Sequence, residues 1–141
     1  MRFWDSCAIV ALLCPEKASA SLIRLYAEDP QIVVWAFSRT EILSALCRLR
    51  RRGSLSAEAV SAARRKLAGL SAAWYEVVDY ERVRDRAERL LELHSLAAAD
   101  ALQLAAALVT VQDRPHGFGF LTLDARLHEA AAREGFLNVS L

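Results

Sequence analysis

Leu96–Gln112 reads LAAADALQLAAALVTVQ. It is apolar almost all round a helix, and a helix of that kind must be buried on every side. The stretch therefore predicts a central helix in a layered domain. Asp100 is its one charge, and the only charge between His94 and Asp113.

Outward from this helix, strand and helix signals alternate. Downstream come a strand at Phe118–Leu123, a helix at Ala125–Glu134 and a last strand at Phe136–Val139. Upstream, Arg2–Trp4 reads as a first strand and Ser6–Leu13 as a short helix. Pro15 can open a second helix, which runs to about Glu28. Pro30 breaks the chain before QIVVWAF at Gln31–Phe37, a β-branched and aromatic strand. Ser38–Arg52 is a helix with an S-x-x-E capping box at Ser38 and Glu41, and Gly53 sits just past its end. Ser56–Leu67 is another, stopped near Gly69. Trp74–Val78 is an edge strand. Asp79 starts a helix with the apolar stripe Val83, Ala87, Leu90, Leu91 and His94. Alternation of this sort predicts an α/β fold with a central, mostly parallel sheet and helices on both faces.

Length and composition agree. A chain of 141 residues has the length of one domain, expected here to span 1–141. A hydrophobic share of 55% with 25% charged residues excludes a disordered tail or a collagen-like repeat. The longest charge-free run is Ala101–Gln112, far short of the ~20 apolar residues of a membrane span. Three cysteines, Cys7, Cys14 and Cys47, form no CxxC pair, which argues for a reducing compartment and against a thiolate zinc site. Ser6–Cys14 has the apolarity of a signal sequence, and Ala18-Ser19-Ala20 has the form of a cleavage site. Asp5 in the would-be basic region argues against secretion, so a cytoplasmic location is expected.

The net charge of +1 conceals a division. Ser38–Gly69 carries net +6 and the remainder net −5. Arg48, Arg50, Arg51 and Arg52 end one helix, and Arg64, Arg65 and Lys66 lie on the next. Arginines at a helix C-terminus can simply complement the macrodipole. They can equally form a positive clamp for an RNA backbone.

In a parallel sheet, ligands collect beyond the carboxyl ends of the strands. Four acids map there. Asp5 follows the first strand, Glu41 lies in the first turn after QIVVWAF, Asp124 follows GFLTL, and Asp100 starts the central helix. Each has a plain structural reading. Asp5 and Asp124 can cap helices, Glu41 can close its capping box, and Asp100 with Gln103 repeats that box as D-x-x-Q. Together they point elsewhere. A carboxylate in so apolar a segment is costly without a counter-charge, and like charges gathered at one edge call for a cation. Oxygen donors without His or Cys at ligand spacing favour Mg²⁺, with Mn²⁺ as an alternative. That chemistry suits metal-assisted phosphodiester cleavage by an activated water.

FWDS (Phe3–Ser6), TEILSAL (Thr40–Leu46), AADALQLAAAL (Ala98–Leu108) and LTLDARL (Leu121–Leu127) together resemble a PIN-domain ribonuclease, most of all the VapC-type toxins of bacterial toxin–antitoxin pairs. The resemblance spans the chain in order. It implies a three-layer PIN-like sandwich and a Mg²⁺-dependent endoribonuclease. Asp5 and Asp100 would be metal ligands, Glu41 and Asp124 would complete the site, and Ser6 would be the hydroxyl beside the first acid. It further implies an RNA substrate, a homodimer and a small antitoxin partner. Relatives often carry Arg or Thr where this chain has Ala97 or its neighbours, which bears on substrate contacts rather than on the metal.

Other features weigh less. Trp4, Trp35 and Trp74 lie in strands and are expected in the core. His94, His116 and His128 share no spacing. Asp85 and Arg89 form an i,i+4 pair on a solvated face. No GxSxG, GxGxxG or P-loop is present. Two rival readings remain open. One is a receiver-like phospho-acceptor domain, although neither Lys17 nor Lys66 is placed after a late strand. The other is a non-catalytic binding module whose acids are only caps.

Overall fold

The structure is a computed structural model, and it describes residues 1–14 and 19–139. In chain order the elements are β1 (Arg2–Trp4), α1 (Ser6–Leu13), α2 (Ser19–Glu28), β2 (Ile32–Trp35), α3 (Ser38–Arg51), α4 (Ala57–Ser71), β3 (Tyr75–Val77), α5 (Tyr80–Leu93), α6 (Ala98–Thr110), β4 (Gly119–Leu121), α7 (Ala125–Arg133) and β5 (Leu137–Asn138). Pro15, expected to open α2, and Lys17 lie outside the described residues.

Every strand pairing is parallel, in the order β3-β2-β1-β4-β5. The strands alternate their side chains between two faces, as the pleat requires. Phe3, Val33, Trp35, Val77 and Phe120 pack under α5, α6 and α7. Trp4, Ile32, Val34 and Leu121 pack on the other face under α1, α2, α3 and α4. The molecule is thus a three-layer α/β sandwich with one core on each side of the sheet. Helices that cover both faces explain why the inner strands are almost wholly apolar, with Arg2 at the outer end of β1 the exception.

The order places β1 at the centre, with β2 on one side and β4 on the other. Chain connections run in opposite directions from that point. A crevice opens there beyond the strand ends, where open α/β sheets take their ligands.

Helix α6 is the hub of one layer. Gln103 through Leu108 are all buried, so the all-round apolar reading holds. Its alanines keep the helix slim against the sheet and α5. Val83, Ala87 and Leu90 face it as expected, but Leu91 is exposed. His94 caps the end of α5, and its Nε2 lies 2.8 Å from Glu134 Oε1 instead of extending the stripe. Arg89 likewise meets Glu134 at 3.0 Å rather than Asp85 one turn away. Partners from another helix of the same layer replace the expected local ones because Glu134, at the end of α7, reaches α5.

One terminus expectation needs correction. Gly69 does not stop α4, which continues to Ser71; an exposed glycine inside a helix costs only about 1 kcal/mol. Gly53 does follow α3 in the left-handed region, at φ +75°. Trp4 and Trp35 are fully buried, Trp74 packs at the margin of its core, and β3 is an edge strand. Among the described residues, no single helix is long and apolar enough to cross a membrane.

Leu104 is wholly buried at the centre of one core. Leu104→Ala should lower unfolding stability by about 2–5 kcal/mol. Urea denaturation should show an earlier midpoint with an unchanged slope.

Candidate active site

Asp5, Glu41, Asp100 and Asp124 line one cavity of about 840 Å³, together with Ser6, Cys7 and Arg48. The cavity opens at the carboxyl ends of β1 and β4. Four positions scattered over the chain meet there because β1 and β4 are neighbours and because α3 and α6 start at that same edge.

Asp5 is held by its backbone, whose N–H donates to the Leu121 carbonyl at 2.9 Å and continues the β1–β4 ladder. It precedes α1 but makes no side-chain cap, so the capping reading fails. Its carboxylate turns inward and is 6% exposed. The Thr122 hydroxyl donates to Oδ2 at 2.8 Å and the Cys7 thiol at 2.7 Å. These partners are neutral. Burial raises its pKa above the ordinary value, against the pull of those hydrogen bonds, and the nearby Glu41 charge adds to the rise. Cys7 is pushed up to about 12 by burial and by Asp5. It therefore donates to Asp5 as a thiol.

Glu41 departs most from expectation. Phe37, not Ser38, occupies the cap position of α3, with no side-chain cap. The capping box does not form because Ser38 is fully buried and turned toward Gln103. Glu41 Oε2 instead accepts a short hydrogen bond from the Ser6 hydroxyl and one from Gln103 Nε2 at 2.7 Å.

Asp100 is half-buried in the first turn of α6, and Ala97 holds the cap position. The D-x-x-Q box is thus absent too. Among the described residues, no Lys or Arg reaches salt-bridge distance of Asp100. Its pKa is raised by burial, then by the Asp124 and Glu41 charges, opposed by a backbone hydrogen bond from Ala97 and then by Arg126. Asp124 alone keeps its plain role: Oδ1 caps α7, accepting from the Arg126 and Leu127 N–H groups at 2.8 and 2.9 Å. It still lines the cavity.

Among the described residues, no three acidic, His or Cys side chains close on one point as a finished coordination sphere. The carboxylates line a shared space instead, each held from its own element. Mutual repulsion favours such an arrangement when nothing neutralises the group. The donor set still suits a hard divalent ion: oxygens throughout, a buried anion with only neutral partners, and a second anion raised by two like charges.

Of the arginines, Arg48 lines the cavity. Arg50, Arg51 and Arg52 are exposed at the end of α3 and do not line it. Three contributors escaped the sequence reading: Gln103, Cys7 and Thr122. A lone amide in an apolar helix, one turn past Asp100, was the available signal for Gln103.

A doubly wound parallel sheet with carboxylates gathered at its switch point is an architecture that can support metal-assisted phosphodiester chemistry. The PIN domain family model matches residues 2–133, and the chain belongs to that family. PIN domains are typically metal-dependent nucleases acting on the phosphodiester bonds of RNA or DNA. No curated protein matches the chain.

The raised Asp100 carboxyl has a consequence for stability. A raised acid favours the protonated fold. Its stabilising contribution is complete below the ordinary value of 3.8 and is lost as pH rises through the raised value. Without metal, Asp100→Asn should therefore melt about 2–4 °C above the wild type at pH 7, the effect of ~1 kcal/mol. The gap should close toward pH 4. A lower Tm for the variant at pH 7 would show that the carboxylate is favourably paired.

Proposed function

We propose that this chain is a divalent-metal-dependent endoribonuclease of the VapC toxin kind, a single domain filling residues 1–141. The observation that carries this reading is the meeting of Asp5, Glu41, Asp100 and Asp124 around one cavity at the switch point of the sheet.

Asp5 and Asp100 would hold Mg²⁺ or Mn²⁺, with Glu41 and Asp124 completing the set directly or through water. When bound, the ion supplies Lewis acidity and charge neutralisation for attack of water on the phosphodiester. The protein's own contribution is order. The Asp5 carboxylate is fixed by Thr122 and Cys7, and Glu41 is fixed by Ser6 and Gln103. Asp124 is locked by its cap. Arg48, on the cavity wall, offsets the repulsion between these anions and an incoming phosphate. Arg50, Arg51 and Arg52 extend the positive surface from that wall along α3. The choice of RNA over DNA, the small antitoxin that covers the site, the homodimer and the cytoplasmic location follow from the resemblance to VapC-type toxins; the reducing compartment also agrees with the thiols of Cys7 and Cys47.

An RNA pool incubated with Mg²⁺ should yield discrete internal cuts on end mapping, suppressed by EDTA. Asp5→Asn and Asp100→Asn should each lower the rate by about 10²-fold or more, as expected for several kcal/mol of lost charge stabilisation. Full activity in EDTA would dismiss the reading. Arg48→Ala should weaken RNA binding and reduce the salt slope of log K by ~0.7, the value for one single-strand phosphate contact. Filter binding across a salt series measures it, and an unchanged slope removes Arg48 from the interface.

A further inference from the structure

Gln103 is 1% exposed, on α6, three residues beyond Asp100. A buried amide left unpaired costs about 1–3 kcal/mol per group, yet this one is fully engaged. Nε2 donates to Glu41 Oε2 at 2.7 Å and to Ser6 Oγ at 2.6 Å. The Ser38 hydroxyl lies 3.3 Å from Oε1 and 3.1 Å from Nε2. Two N–H groups thus meet the Glu41 and Ser6 acceptors, while Ser38 supplies a donor to Oε1. The orientation of the amide follows. Turned over, it would set its own oxygen against the Glu41 carboxylate.

The Ser6 hydroxyl accepts from Gln103 and donates to Glu41. One ring therefore joins α1, α3 and α6. Both bonds to Glu41 fall on Oε2, and among the described residues no donor engages Oε1. One carboxylate oxygen is tied into the fold and the other remains for the cavity.

Resting on the metal-site reading above, we infer that Gln103 is a positioning residue: its amide clamps Glu41 and Ser6 in the orientation that completes the cation site, from the same helix that presents Asp100. Such outer partners typically tune metal affinity about 10–100-fold. The clamp is neutral, so it orients Glu41 without cancelling the charge a cation needs. A Lys or Arg at this position would pair with Glu41 and compete with the ion.

The test is Mn²⁺ titration of the full chain, followed by calorimetry and by the paramagnetic loss of the free-ion signal. Gln103→Leu removes both donors at similar volume and should weaken Mn²⁺ binding about 10–100-fold. Ser38→Ala leaves the amide in place but removes one of its hydrogen-bond partners, and should give a smaller loss in the same direction. It carries the test if the leucine variant fails to fold. A purely structural role would lower Tm and leave the Mn²⁺ affinity of the folded protein unchanged. Wild-type affinity in the folded variants overturns the clamp while leaving the metal site standing. Failure of the wild type itself to bind Mn²⁺ overturns both.

Discussion

A carboxylate at the end of the central strand, shut away from water among neutral hydrogen-bond donors, is the constraint on which the rest of this molecule turns. Asp5 continues the backbone ladder between β1 and β4, so its place is set by the sheet. Among the described residues, a thiol, a hydroxyl and a backbone amide soften its burial. Sites selected for stability alone avoid an uncompensated buried anion. The crevice geometry makes this one persistent. Asp5 leaves the sheet where the strand order reverses, at the crevice that opens there.

The same opening explains why the other acids gather without collapsing onto one another. Each is fastened to its own element: Glu41 by hydroxyl and amide donors, Asp124 by the first turn of α7, Asp100 by the buried start of α6. The fold thereby holds like charges around a shared space at a cost to its own stability. Two cores on opposite faces of the sheet give that space rigid walls. Helix α6 joins the two, since its apolar body fills one core and its first turns bring Asp100 to the cavity and Gln103 to Glu41 and Ser6 behind it.

Much of this was legible beforehand. The β-branched run around Val33 and Val34, the short apolar strand at Phe120, and the all-round apolar helix announced a parallel sheet with covered faces. The carboxylates were legible through position, since each stood at an element boundary. The failures share one cause. The capping boxes at Ser38–Glu41 and Asp100–Gln103 fit local spacing, yet neither forms, because residues far away in sequence offer Ser38, Glu41 and Gln103 better partners. His94 and Arg89 were misplaced for the same reason, with Glu134 arriving from another helix. Asp124, whose partners are two and three residues away, behaved as its local sequence suggested.

Periodicity and punctuation act over a few residues, through backbone sterics and the burial of apolar faces. They were enough to specify the elements, the layer each would occupy and which acids would stand at strand ends. Which of those acids became hydrogen-bonded to what depended on strand order. Only when β4 docks beside β1 does Thr122 reach Asp5, and only when α6 lies against α1 and α3 can one amide hold both Ser6 and Glu41. Hydrogen bonds demand contact within about 3 Å, and contact between distant segments is a property of the assembled sandwich alone.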